Sequence, residues 1–225
     1  MVDLRNKVVL ITGSSLGIGR ETAFKFAKEG CKVVISYYKD KKEAEQVARK
    51  CLELGASDVL LIQLNVMDNS SIKNCVKKVT NKFGNIDILI NNAGIVVWKR
   101  LKEQTFEDIE NEVRTNLEGL IKMTRECLPY VKDTIINISS GAGKDAFAGL
   151  STYCATKFGV RGFTQAIAQE LRHIKVYSVN PGTTATRMNN FRGITPEKVA
   201  EIILRTAKGE IKPDSQRDID VWDYI

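Results

Sequence analysis

Six short runs rich in β-branched residues alternate with longer segments of helical pattern along most of the chain. The runs are Lys7–Ile11, Lys32–Ser36, Val59–Gln63, Ile86–Asn91, Thr134–Ile138 and Lys175–Val179. Their apolar stretches are continuous and not alternating, as in strands buried on both faces of a parallel sheet. Parallel strands need crossovers, and the intervening segments predict helices over Ile18–Glu29, Lys41–Leu54, Ser70–Phe83, Phe106–Tyr130 and Thr152–Arg172. Thr105 with Asp108 reads as a cap at the start of the fourth helix. Thr195-Pro196-Glu197 places Pro in the first turn of a last helix that Gly209 ends. The repetition predicts an α/β chain, residues 1–225 forming one domain: a doubly wound parallel sheet with right-handed crossovers and helices on both faces.

Composition narrows the function. The longest apolar runs, such as Val8–Ile11 and Val59–Ile62, fall far short of the roughly 18 residues that span a bilayer, and no cleavable apolar segment opens the chain. A cytoplasmic protein with no membrane partner is expected. The net charge of +7 comes from scattered lysines and arginines, and even the densest group, Lys39, Lys41 and Lys42, forms no stripe, so no nucleic acid partner is expected. Five cysteines, odd in number and without a C-x-x-C pair, predict reduced, mostly buried thiols and no zinc site. His173 is the only histidine, so Ser-His-Asp, Cys-His or multi-histidine metal chemistry would all have to pass through it. An enzyme of this composition moves protons with another side chain.

The first strand runs into Thr12-Gly13-Ser14-Ser15-Leu16-Gly17-Ile18-Gly19 and then a helix. Glycines there permit a tight turn and let the backbone approach a pyrophosphate, whose charge is met by amides at the helix N-terminus. Tyr153 and Lys157 stand four apart in a predicted helix and so share one face. A nearby ammonium favours phenolate, which predicts a tyrosine pKa below its usual value near 10. Tyr37/Lys41 and Tyr38/Lys42 repeat the spacing but follow the second strand. Tyr153 is set apart by Ser140, thirteen residues upstream at the end of the fifth strand, where ligands bind in such sheets.

These residues resemble the classical short-chain dehydrogenase/reductase family, whose fold is of the Rossmann type. Thr12-Gly13-x-x-x-Gly17-x-Gly19 is similar to its cofactor loop, Asn91-Asn92-Ala93-Gly94 to its motif after the fourth strand, and Asn116 to its helix asparagine. Ser140, Tyr153 and Lys157 resemble its catalytic set, and Asn180-Pro181-Gly182 with Thr186 its nicotinamide-side loop. The resemblance covers about residues 5 to 200. It implies that Ser140 hydrogen-bonds the substrate oxygen, that Tyr153 gives or takes its proton, that Lys157 holds the cofactor ribose and lowers the tyrosine pKa, and that Asn116 organises a water linking Lys157 to solvent. It further implies cofactor contacts from Gly13, Ser15, Leu16, Gly17, Ile18, Gly19, Tyr37, Tyr38, Asn65, Val66, Asn92, Ala93, Gly94, Pro181, Gly182, Thr184 and Thr186, besides Tyr153 and Lys157. The implied reaction is hydride transfer between a nicotinamide cofactor and a carbonyl/alcohol pair, with a homodimer or homotetramer as the assembly. The alternative is a dinucleotide-binding regulator or scaffold that has lost catalysis.

Three departures from the family pattern matter. No acid stands at the end of the second strand, where Tyr37 and Tyr38 occupy the places usually taken by an acid or Arg. With Ser36 and Lys39 able to meet a phosphate, NADP(H) is favoured over NAD(H), although Asp40 argues the other way. Asn65 stands where Asp is usual, and its amide can still pair with adenine. Only Arg187–Phe191 remain where family members carry a longer flap, and the tail Glu210–Ile225 lacks the usual closing pattern, though Asp218–Trp222 can form an edge strand. An open, permissive pocket is expected, lined partly by Trp98 and by Lys144–Phe147.

Overall fold

The structure, a computed structural model, describes residues 2–225. Strands β1 (Val8–Ile11), β2 (Lys32–Tyr37), β3 (Asp58–Gln63), β4 (Ile86–Asn91), β5 (Val131–Ile138), β6 (Lys175–Asn180) and β7 (Asp218–Asp220) form one parallel sheet in the order β3-β2-β1-β4-β5-β6-β7. The order reverses between β1 and β4, and the carboxyl ends of those strands open a crevice there.

Two apolar layers cover the sheet, and side-chain alternation within each strand decides which layer a residue joins. Val9, Ile11, Val33, Ile35, Ile88 and Ile90 pack with Phe26 of α1 (Gly17–Lys28), Val47 of α2 (Lys41–Glu53) and Ile203 of α7 (Pro196–Ala207). Val8, Leu10, Val34, Leu89 and Ile135 face the other way, onto Ile72 and Val76 of α3 (Asn69–Phe83), Met123 of α5 (Gly119–Cys127) and Ile167 of α6 (Ser151–Glu170). Because both faces are covered, the strands read as unbroken apolar runs.

The predicted helix Phe106–Tyr130 is divided. It runs as α4 (Phe106–Val113), a π-helical turn (Arg114–Glu118) and then α5. The wide turn buries Asn116, whose side chain bonds both backbone groups of Ile95, and it precedes Gly119, where a Cβ would stand 2.8 Å from the Val66 carbonyl oxygen. The helix thus passes close beneath two loops of the crevice. The Thr105/Asp108 cap forms in both directions, at 3.0 and 2.9 Å, and α7 begins on Pro196.

The tail folds back as β7 beside β6, pairing Asp218 to Asp220 with Ser178 to Asn180. Pairing stops two residues short of the predicted Asp218–Trp222 strand because β6 ends at Asn180 and Pro181 has no N–H to continue the ladder. Val221–Asp223 form a 3-10 turn instead. All five cysteines are buried and free. Among the described residues no group of His, Cys, Asp and Glu is arranged to hold a metal, and no helix is long and apolar enough to cross a membrane.

Candidate active site

The loops at the carboxyl ends of the strands enclose one large cleft of about 1480 Å³. Single drug-sized ligands fill roughly 300–1,000 Å³, so the volume suits a dinucleotide together with a second small molecule. Its β1–β2 end is bordered by the Gly13–Gly17 loop, Arg20, Tyr38, Lys39 and Asp40, and its other end by Ser140, Tyr153 and the segments around Trp98, Phe147, Met188 and Trp222.

Hydrogen bonds fix the β1 loop to its neighbours. Asn92 Nδ2 donates to the carbonyls of Thr12 and Gly13 at 2.9 Å, and the amides of Asn92 and Ala93 donate to Thr12 Oγ1 at 2.9 Å. Gly19 lies beneath this junction, where a Cβ would come 2.4 Å from the Gly13 carbonyl oxygen and 2.6 Å from Asn92 Nδ2. Gly19 therefore shapes the cradle from behind, whereas Gly13, Ser15, Leu16, Gly17 and Ile18 line it. Helix α1 starts on Leu16 with no side-chain cap and no acid in its first turn. Its first amides are thus free to receive an anion.

Two expectations about the second strand need correction. Tyr37 does not reach the cleft: it is 9% exposed and packed in the core with Ala44 and Val47. Strand alternation turns Tyr38 outward instead, where it lines the cleft beneath the Lys39 ammonium, 5.1 Å from its ring centre. Ser36 cannot meet a phosphate, because it is buried with its hydroxyl accepting from the Gly13 amide at 3.0 Å and donating to the Ile11 carbonyl at 3.1 Å. Asn65 and Val66 line the same end, with Asn65 Oδ1 holding the Met67 amide at 3.0 Å.

The catalytic candidates converge. Ser140 caps the turn after β5, with its Oγ accepting from the Ala142 amide at 3.1 Å, and it lies close enough to the Tyr153 phenol to favour the phenolate. Lys157, 5% exposed, donates to the Ile138 carbonyl at 2.9 Å and stands 5.5 Å from the centre of the Tyr153 ring. Burial outweighs these partners: it pushes the phenol up to about 12 and the Lys157 ammonium down to about 8. The direction for the tyrosine is opposite to the one the spacing predicted, because the ammonium is turned to a carbonyl and the ring is desolvated.

Asn116 is committed to the backbone. Its Oδ1 accepts from the Ile95 amide and its Nδ2 donates to the Ile95 carbonyl, both at 2.8 Å, with a further 3.3 Å contact to Thr156 Oγ1. One turn earlier Glu112, fully buried, accepts from the Val97 amide at 2.8 Å, and burial raises its carboxyl pKa. This pair pins the segment that carries Val96 and Trp98. Ala93 and Gly94 continue the floor, and Pro181, Gly182, Thr184 and Thr186 close the far wall.

Lys144 lies outside the cleft, paired with Asp220 and, at 3.8 Å, with Asp218. Phe147 and Trp98 do line it, and the Trp98 indole donates to the Met188 carbonyl at 3.1 Å. Trp222, like Arg20 and Glu107, is a lining residue that the sequence does not mark as a site residue: its indole lies over Gly141 and Gly182, 3.5 and 3.9 Å from where Cβ atoms would stand. Its nearness depends on the β6–β7 pairing, which no local motif marks.

Residues 7–196 match the family described as short chain dehydrogenase. A 3-oxoacyl-acyl-carrier-protein reductase, FabG, of Staphylococcus epidermidis is 38% identical over 194 residues, covering 82% of this chain and 78% of its own. An NADP-dependent 3-hydroxy acid dehydrogenase of Schizosaccharomyces pombe is 32% identical over 227 residues, covering 91% and 88%. The crystal structure of a short-chain dehydrogenase from Burkholderia cenocepacia in complex with NADP superposes with a TM-score of 0.88 at 28% identity, covering 97% of each chain. With the match spanning the cleft-forming loops and the whole sheet, the chain belongs to the classical short-chain dehydrogenase/reductase family of oxidoreductases.

Proposed function

We propose that the protein is an NADP(H)-linked carbonyl reductase in which Tyr153 is the proton donor. The observation that carries this reading is the meeting of Ser140, Tyr153 and Lys157 at one end of a cleft whose other end is the uncapped start of α1. The residues present suit a dinucleotide: the Gly13–Ile18 amides would take its pyrophosphate, Asn65 and Val66 would border its adenine, and Lys157, Pro181, Gly182, Thr184 and Thr186 would hold the nicotinamide half. No carboxylate stands at Tyr37 or Tyr38; Asp40 lines that end and Arg20 is paired with Glu21 at 2.7 Å, but among the described residues Lys39 is in no ion pair there, which favours a 2′-phosphate. The names of the fission yeast relative and the Burkholderia structure, both carrying NADP, support the same choice.

When bound, a nicotinamide dinucleotide supplies a hydride to the carbonyl carbon and is itself oxidised by two electrons. The protein orients the carbonyl and completes the reduction. Ser140 donates to the substrate oxygen, and the Tyr153 O–H bond breaks as its proton passes to that oxygen, so that C=O becomes CH–OH. A phenol held near pKa 12 by burial is fully protonated at neutral pH, which suits the reductive direction. Lys157, near 8, returns a proton to the phenolate. Asn116 and Glu112 act as positioning residues, holding Ile95 and Val97.

Titration with NADPH and NADH, followed by turnover of a panel of ketones and aldehydes, tests the reading. NADPH is expected to bind the tighter, and Tyr153→Phe is expected to bind it equally well and to turn substrate over about 10²–10⁴-fold more slowly. A protein that binds NADPH but reduces no carbonyl compound would instead be the regulator or scaffold.

A further inference from the structure

Five large apolar side chains, Trp98, Phe147, Met188, Phe191 and Trp222, line the cleft at its Ser140–Tyr153 end while 44–70% exposed. Isolated exposed apolar residues are unremarkable, but their concentration around one reacting group marks a surface that a ligand covers. Charge points the same way. Among the described residues lining the cleft, Arg20 and Lys39 stand at the β1–β2 end, Lys157 is buried against the Ile138 carbonyl, and Arg187 reaches toward Glu43 of α2 at 3.8 Å. The charged side chains left at the β4–β5 end are the exposed acids Glu107 and Asp145. A carboxylate or phosphate on the substrate would thus meet two like charges among the residues that line this end.

From this juxtaposition we infer that the substrate is a neutral carbonyl compound bearing an aromatic or similarly bulky apolar group beside the carbonyl, and that Trp222 forms one wall of its pocket. The inference rests on the reductase reading above. Trp222 is suited to this because the strand that leads into it, β7, is anchored to α6, to β6 and to the turn after β5. Asp218 is held by Arg161 of α6, and Asp220 by Lys144 and by Asn180 at 2.8 Å. The indole is thereby fixed over Gly141 and Gly182, next to Ser140. The short flap leaves the shape of the pocket permissive while its polarity stays selective.

Three α-keto compounds separate the possibilities with saturating NADPH: ethyl benzoylformate, ethyl pyruvate, which lacks the ring, and the benzoylformate anion, which lacks the ester. Burial of a phenyl ring in an apolar pocket predicts kcat/KM about 10–100-fold higher for ethyl benzoylformate than for ethyl pyruvate. Trp222→Ala and Trp222→Leu are each expected to cut that ratio about fivefold or more. Combining Glu107→Gln with Asp145→Asn is expected to raise benzoylformate relative to its ester about threefold or more, a change that intrinsic carbonyl reactivity cannot produce. Equal or better turnover of ethyl pyruvate, preference for the anion, or ratios unmoved in the Trp222 variants would overturn the substrate assignment and leave the reductase reading standing. Bound NADPH with no turnover of any of the three would remove both.

Discussion

The Lys157 ammonium stands 5.5 Å from the centre of the Tyr153 ring but gives its hydrogen bond to the Ile138 carbonyl, at 2.9 Å. Two titratable groups are thus buried side by side, and each is pushed toward its neutral form. The site holds a proton donor ready for a carbonyl oxygen, and the fold bears the cost of a desolvated ammonium.

That cost has a pH signature. The folded-state pKa of Lys157, about 8, lies below its ordinary 10.5, so the folded chain binds this proton less tightly than the unfolded one. The penalty is full below pH 8 and fades between 8 and 10.5. Tyr153, raised from 10 to about 12, works the other way, and its contribution is lost as pH climbs from 10 to 12. Lys157→Met is expected to abolish turnover and yet raise stability at pH 7 by about 1–3 kcal/mol, with the gain shrinking by pH 9.5. Thermal unfolding at the two pH values checks it.

Gly19→Ala would drive a methyl into the Gly13 carbonyl and the Asn92 amide. Neither neighbour can yield without opening the junction of the β1 and β4 loops, so a loss of about 2–4 kcal/mol is expected. Nucleotide affinity should fall at least tenfold in any fraction that folds. Chemical denaturation and a binding titration read the two effects separately.

Lys39→Glu places a carboxylate beside Tyr38, at the end of the cleft where a 2′-phosphate would sit. NADPH affinity is expected to drop about tenfold or more, while NADH affinity changes less than about threefold. Equal losses for both nucleotides would argue that Lys39 does not meet the 2′-phosphate.

Arg161 pairs with Asp218, whose side chain is 1% exposed. Removing Arg161 leaves that buried charge with only the Lys144 ammonium, at 3.8 Å, so Arg161→Met is expected to cost about 3 kcal/mol and to release the tail that carries Trp222. The predicted result is a lower unfolding temperature together with a raised KM for bulky ketones.

The sheet could be read from sequence because its central strands are short, apolar and buried on both faces, and all seven strands lie within three residues of the expected bounds. The helix over Phe106–Tyr130 reads as continuous because one π-helical turn barely disturbs a 3.6-residue period. Motifs located Ser140, Tyr153 and Lys157 because strand ends and helix faces bring them together by local geometry. Tyr37 was misplaced because facing at the end of a strand depends on register, and a shift of one residue exchanges core for cleft. Trp222 reads from sequence as part of an edge strand and not as a cleft residue: its place over Gly141 and Gly182 follows from long-range pairing of Asp218 and Asp220 with α6 and β6, and sequence spacing carries no record of that.

The most direct test follows the hydride. NADPH carrying deuterium at the transferred position of nicotinamide C4 is incubated with ethyl benzoylformate and either the wild-type protein or Tyr153→Phe, and the alcohol is examined by mass spectrometry and proton NMR. The account predicts deuterium on the carbinol carbon with the wild type, and a rate lower by about 10²–10⁴-fold in the variant with NADPH affinity unchanged. Deuterium-labelled product formed at equal rates by both proteins would contradict the role of Tyr153. Firmly bound NADPH that transfers no deuterium to any carbonyl compound would contradict the reductase itself.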